Sequence, residues 1–194
     1  MRSAAAPVER GVARPNGWWG MVVFVATEAT LFGTMIGSYF YLRFRAVEWP
    51  PAGVPAPHVT VPLVLTGVLV ATSLPVAMSV SSARRGLAAR AWIALLVALV
   101  VQSGYLAMQI HLYLDDLDKF SPQGSAYGSI YFTLLGAHHA HVAVALLLEA
   151  WLLVRLASGL TRYRLVGLKA VAFYVHFVNV LAVAVVTVQL SAVA

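Results

Sequence analysis

The chain has 194 residues, of which 61% are hydrophobic and only 10% charged. Soluble domains carry about 25% charged residues, so a water-soluble enzyme is excluded, as are a disordered chain and a fibrous repeat. The formal net charge is +6 and there is no cysteine, which excludes disulfides, thiolate zinc sites, iron–sulfur clusters and copper sites that need Cys ligands.

Residues 1–17 read as a cytoplasmic segment carrying Arg2, Arg10 and Arg14. Five long stretches nearly free of charge follow, at about 18–42, 59–83, 91–114, 127–154 and 170–194. A helix of about 24 residues is about 36 Å long and crosses a bilayer core of about 30 Å with some tilt. Hydrocarbon leaves the backbone to satisfy its own hydrogen bonds, so such stretches are helices. The sequence therefore predicts an all-α polytopic membrane protein, with residues 18–194 forming one five-helix membrane domain. The first stretch is too long for a signal-peptide core and no small-residue cleavage site follows it, so it is expected to be retained.

The loops predict the orientation. Ten of the thirteen basic residues lie before span one, between spans two and three (Arg84, Arg85, Arg90), or around the loop between spans four and five (Arg155, Arg162, Arg164, Lys169). The opposite side has Arg43, Arg45 and Lys119. Cytoplasmic loops are enriched in Lys and Arg, which puts the N-terminus in the cytoplasm and the C-terminus outside. Residues 50–57 are Pro-rich and read as a stiff outer loop. Residues 115–125, with Asp115, Asp116 and Asp118, read as a second outer loop. Pro62 is tolerated in the first turn of span two, whereas Pro75 is deep in that span and predicts a kink.

Few polar residues interrupt the spans. Glu28 lies about 15 Å past Trp18 along the first helix, and an ionisable group at such depth is a functional candidate by default. Span four carries His138, His139, His141 and Glu149; span five carries His176 and Asn179; span three carries Gln102. His138 and His141 are one turn apart and expected on roughly one side, with His139 turned towards another neighbour. Allowing for alternating directions and tilt, Glu28, Gln102, His141, His176 and Asn179 fall in one middle belt, which predicts an internal polar network. Glu28 with His138 or His141 is the candidate protonatable element. The His-x-x-His spacing alone is weak evidence for metal, and His-Glu-x-x-His is absent, so no metal site is expected. His58 and His111 read as interfacial. Gly33 and Gly37 form a Gly-x-x-x-Gly pair, a spacing that lets helices approach closely. They lie well around the helix from Glu28 and are assigned to packing against another partner.

Three segments jointly resemble subunit III of the haem–copper oxidases. The first is WGM at 19–21 followed by FVATEATLF at 24–32; Glu28 falls on the family's carbodiimide-reactive glutamate. The second is FTLLGAHHAHV at 132–142, similar to the family's Thr-Gly-x-His-Gly-x-His-Val, with Gly136, His138, His141 and Val142 matching. The third is YVHFVNV at 174–180, where the family reads Tyr-Trp-His-Phe-Val-Asp-Val, so Val175 and Asn179 depart. Gln109 and Tyr113 match a fourth, weaker stretch in which Leu112 replaces a glutamate. The chain resembles the family's shorter, five-helix form.

The resemblance implies a non-redox subunit of a cytochrome c oxidase that reduces oxygen to water and pumps protons. Its role there is to stabilise subunit I and support proton uptake from the cytoplasm. It implies haem and copper in partner subunits and no cofactor or catalytic residue in this chain. The expected partners are subunit I, subunit II, smaller subunits and membrane lipids, including bound phospholipid, and not nucleic acid. The host is expected to be a bacterial cytoplasmic membrane. Subunit III of a quinol oxidase and an accessory subunit of a nitric oxide reductase are the alternatives.

The absence of native cysteine allows a clean test of orientation. A membrane-impermeant thiol reagent added outside intact cells is expected to label Gln123→Cys and to leave Ser158→Cys unlabelled until the membrane is opened; the reverse pattern inverts the topology.

Overall fold

A computed structural model describes residues 16–55, 57 and 59–192. Six helices follow in order: α1 (Asn16–Arg45), α2 (Thr60–Ala71), α3 (Ser73–Arg84), α4 (Ala88–Lys119), α5 (Ala126–Ala157) and α6 (Arg162–Ser191). Helices α2 and α3 together make one span, Thr60–Arg84, so five helical units are long and apolar enough to cross a membrane. The chain is an all-α, polytopic membrane protein. Most of segment 1–17, His58 and the last two residues lie outside the described residues.

The helices run past their apolar stretches because polar caps satisfy their ends. Thr161 Oγ1 accepts the Arg164 backbone N–H at 3.2 Å, so α6 starts eight residues before its apolar run. Ser125 Oγ accepts from the Gly128 N–H at 3.0 Å and starts α5. The three aspartates predict a loop at 115–119, but α4 continues to Lys119. Acidic groups are unfavourable at a helix C-terminus. Lys119 offsets them by pairing with Asp115 and Asp116 one turn earlier.

At the expected kink the helix is interrupted for one residue, Thr72, which keeps helical dihedrals (φ −64°, ψ −15°). Pro75 has no N–H to give the Ala71 carbonyl, so the helical ladder is interrupted. The Thr72 hydroxyl donates back to the Leu69 carbonyl at 2.6 Å, and Thr72 is buried.

Helix α6 is the centre of the bundle and touches α1, α2, α3 and α5, while α4 closes the far side against α2, α3 and α5. Helix α1 is the least engaged. Its buried residues are Val25, Phe32 and Tyr39, one narrow stripe repeating every seven positions. The core has two parts. An aliphatic cluster around Leu95, Leu152, Leu168 and Val175 fills the end bearing the basic loops. An aromatic cluster of Phe32, Tyr39, Tyr127, Tyr131 and Phe132 fills the acidic end. There Trp49 closes the loop after α1 onto the bundle: its Nε1–H donates to Tyr39 Oη at 3.0 Å and its ring packs edge-on against Tyr127.

Polar bolts tie neighbouring helices at the basic end. Ser79 Oγ donates to the Ala91 carbonyl at 2.7 Å, and Trp92 Nε1–H donates to the Leu153 carbonyl at 3.1 Å. At the acidic end Gly128 permits a close approach: a Cβ there would stand 2.6 Å from the Ser121 carbonyl oxygen. Backbone cannot yield as a side-chain tip can, so Gly128→Ala is expected to destabilise the chain by about 1–3 kcal/mol, read as a lower Tm in detergent; an unchanged Tm would contradict this packing.

Candidate functional site

The predicted polar residues separate into three clusters, each at a different helix junction. The first joins α1 and α5. His141 Nε2 lies 2.9 Å from Glu28 Oε2, and His141 Nδ1 lies 2.7 Å from the Ala137 carbonyl one turn back. A carbonyl only accepts, so Nδ1 carries a hydrogen and donates it. Nε2 and Oε2 then share one further proton. Either a protonated Glu28 donates to a neutral imidazole, or an imidazolium donates to a carboxylate. The pair is net neutral in both forms, which suits the membrane interior.

The surroundings hold this geometry. The Phe32 ring stands edge-on to the His141 imidazole with centroids 5.1 Å apart. Tyr174 Oη donates to the His141 carbonyl at 3.4 Å, and its ring packs against Phe24. The side chains of His141 and Glu28 keep 16% and 18% of their surface accessible. The pair therefore sits at the rim of the bundle.

The second cluster joins α4 and α5. His138 turns away from His141. Its Nε2 lies 3.1 Å from Tyr105 Oη, which accepts from Gln109 Nε2–H at 3.3 Å. With Gln109 donating to it, the buried phenol gives its own hydrogen to His138 Nε2, and Nδ1 is the protonated ring nitrogen. That N–H is buried with no partner among the described residues. His139 also faces α4, edge-on to the Tyr113 ring at 5.6 Å. Three positions along a helix turn a side chain by about 60°, enough to send His138 and His141 to different helices although they share a side. Gly136 makes room here: a Cβ would meet Tyr113 Oη at 3.3 Å.

The third cluster is built on the broken span. Gln102 Nε2–H donates to Thr72 Oγ1 at 3.0 Å. Asn179 Nδ2–H donates to Ser73 Oγ at 2.8 Å and approaches Thr72 Oγ1 at 3.5 Å. Gln102 and Asn179 therefore meet through Thr72, which sequence reasoning missed, as it missed Tyr105 and Ser73. Pro75 was the available signal: a broken helix deep in a span needs polar partners. Glu149 is fully buried beside Gln102.

His176 joins none of these clusters. It lines a groove of about 590 Å³ at the basic end with Trp18, Arg84, Lys169 and Phe173. Gly33 and Gly37 face outwards: a Cβ at either position would have nothing of this chain within 4 Å. His111 is exposed on α4. Among the described residues no three His, Cys, Asp or Glu side chains are grouped to hold a metal ion.

The sequence profile described as cytochrome c oxidase subunit III matches residues 5–189, covering all three clusters. The chain belongs to this family. Among curated relatives, the cytochrome c oxidase subunit 3 of Paracentrotus lividus is 29% identical over 185 residues, covering 92% of this chain and 68% of the relative. The protein of the same name from Gallus gallus is 29% identical over 170 residues, covering 84% and 64%. That from Petromyzon marinus is 28% identical over 182 residues, covering 90% and 67%. The chain thus spans about two thirds of the length of these subunit III relatives.

Within this subunit III chain, the Tyr105–His138 bond gives a direct test. Tyr105→Phe removes the hydroxyl and leaves both ring nitrogens of a buried histidine unpaired. A cost of about 1–3 kcal/mol is expected, seen as a lower Tm with unchanged helical content; a variant as stable as the parent would show that the bond contributes nothing.

Proposed function

We propose that this chain is the non-redox subunit III of a respiratory haem–copper terminal oxidase, a cytochrome c oxidase that reduces oxygen to water and pumps protons. It stabilises subunit I, contacts subunit II and the smaller subunits, and supports proton uptake from the cytoplasm. Haem and copper, and hence the catalytic centre, belong to partner subunits. Residues 1–17 form a cytoplasmic segment and 18–194 the membrane domain, with the N-terminus inside and the C-terminus outside a bacterial cytoplasmic membrane. The distribution of basic residues supports this orientation. The relatives named above supply the activity and the partners in this reading.

The observation that carries the mechanistic part is the His141–Glu28 contact at 2.9 Å. One proton is shared between two titratable groups, in a site that stays partly accessible at the bundle rim. Such a pair takes up or releases a proton without moving a helix. His138, Gln102 and Asn179 belong to the supporting polar clusters, and His176 lies apart from them in the groove at the basic end. Gly33 and Gly37 offer a close-packing face on the side of α1 turned away from Glu28.

Glu28→Gln keeps the size and a hydrogen-bond donor for His141 but has no proton to share. The variant complex is expected to assemble with normal haem and copper content, to pump fewer protons per oxygen and to lose activity sooner during turnover. Unchanged turnover, pumping and inactivation rate would remove the role assigned to Glu28. In the parent complex, oxygen consumption with reduced cytochrome c supports the proposal; a requirement for quinol, or nitric oxide reduction in its place, replaces it with a related enzyme.

A further inference from the structure

Glu149 has no part in the function proposed above. It lies on α5 eight residues beyond His141, about 12 Å along the helix. It is 0% exposed. Among the described residues no basic group interacts with it, and Gln102 is its polar neighbour. Neither carboxyl oxygen makes a well-formed hydrogen bond with any described residue. Asn179 Oδ1, which belongs to the same cluster through Thr72, is likewise buried and unpaired.

The chemistry of these atoms is one-sided. Both Glu149 oxygens and Asn179 Oδ1 are acceptors. Gln102 spends one N–H on Thr72, and Asn179 gives its amide hydrogens to Ser73 and Thr72. The break before Pro75 adds a further carbonyl, that of Ala71, with no backbone donor. The cluster is therefore rich in acceptors and poor in hydrogens. A carboxylate held there with no cation is strongly disfavoured, whereas a carboxylic acid supplies one of the missing hydrogens itself. Water supplies two more and is the usual partner of buried polar groups that the chain leaves unpaired.

We propose that Glu149 is a proton-holding site in the membrane interior, distinct from the Glu28–His141 pair, held beside Gln102 and hydrated by trapped water. Its O–H donates to a water molecule, and the Gln102 amide supports the carboxyl carbonyl. The site exchanges its proton with the solvent through water rather than through a side-chain chain, because Gln and Asn amides do not carry protons onward.

Infrared difference spectra of the purified complex, parent minus Glu149→Gln, test this. A carbonyl band of a protonated carboxylic acid is expected in the parent, lost in the variant, and shifted down within minutes of transfer to D2O. The band should be the same in sodium and in N-methylglucamine buffers. A carboxylate signal in place of the acid band overturns the proposal, and one that depends on sodium assigns a cation site instead. An acid band that resists D2O for hours overturns the hydrated site in favour of a dry structural acid. Should Glu149→Gln not accumulate, solid-state NMR of the parent chain with carbon-13 glutamate reads its four glutamate carboxyls directly. Glu28→Gln then identifies the other interior signal, so the outcome for Glu149 is separate from that for Glu28. An ionised Glu149 carboxyl in that spectrum overturns the proposal equally.

Discussion

Hydrocarbon offers no hydrogen bonds, and the rest of the structure follows from that constraint. It makes every span a helix, because only a helix pairs its own backbone. It also draws the larger polar side chains towards partners on other helices, while hydroxyls such as Thr30 and Ser103 turn back to their own helix carbonyls. The clusters at His141–Glu28, Tyr105–His138 and Thr72–Asn179 are three solutions of the same problem, and each joins different helices. Apolar packing does not choose between helix arrangements strongly in lipid, since lipid tails are as apolar as leucine. The polar contacts, at about 0.6–2 kcal/mol each, select which helices meet and in which rotation.

Helix α6 shows how the two kinds of contact divide the work. It is buried along most of its length by small and branched residues such as Ala172, Val175, Val178 and Ala182. Those residues let four helices approach it. Asn179 is the polar residue on that surface that reaches the broken span. The break is thus both a liability and a docking point: Pro75 frees a carbonyl, and Thr72 and Ser73 offer hydroxyls at the same level.

The spans were legible in the sequence because charge is scarce and its gaps are long. The break was visible as Pro75, although only as a bend. Glu28 and its histidine were readable as a depth match, and the two candidates His138 and His141 were separated only by the rotation of α5. That rotation was not legible. A helix that is apolar all round carries little periodic signal, and α5 buries residues on several faces. Tyr105 is one aromatic residue in an apolar run, and nothing in that pattern shows that its hydroxyl meets His138. The end of α4 is not legible because three aspartates suggest a loop, whereas Lys119 one turn on pairs with two of them, Asp115 and Asp116, within the helix.

The separation of Glu28 from its partner has a consequence for how the protein is made. The two residues stand 113 positions apart in the chain, on the first and fourth spans. During synthesis the first span enters the bilayer while His141 has yet to be translated. Its acid must therefore enter lipid without that partner, carried by the apolar residues around it. The narrow stripe of Val25, Phe32 and Tyr39 cannot dock until α5 and α6 arrive. Assembly of the bundle thus ends where insertion began, and the shared proton is fixed in place only when the fourth span meets the first.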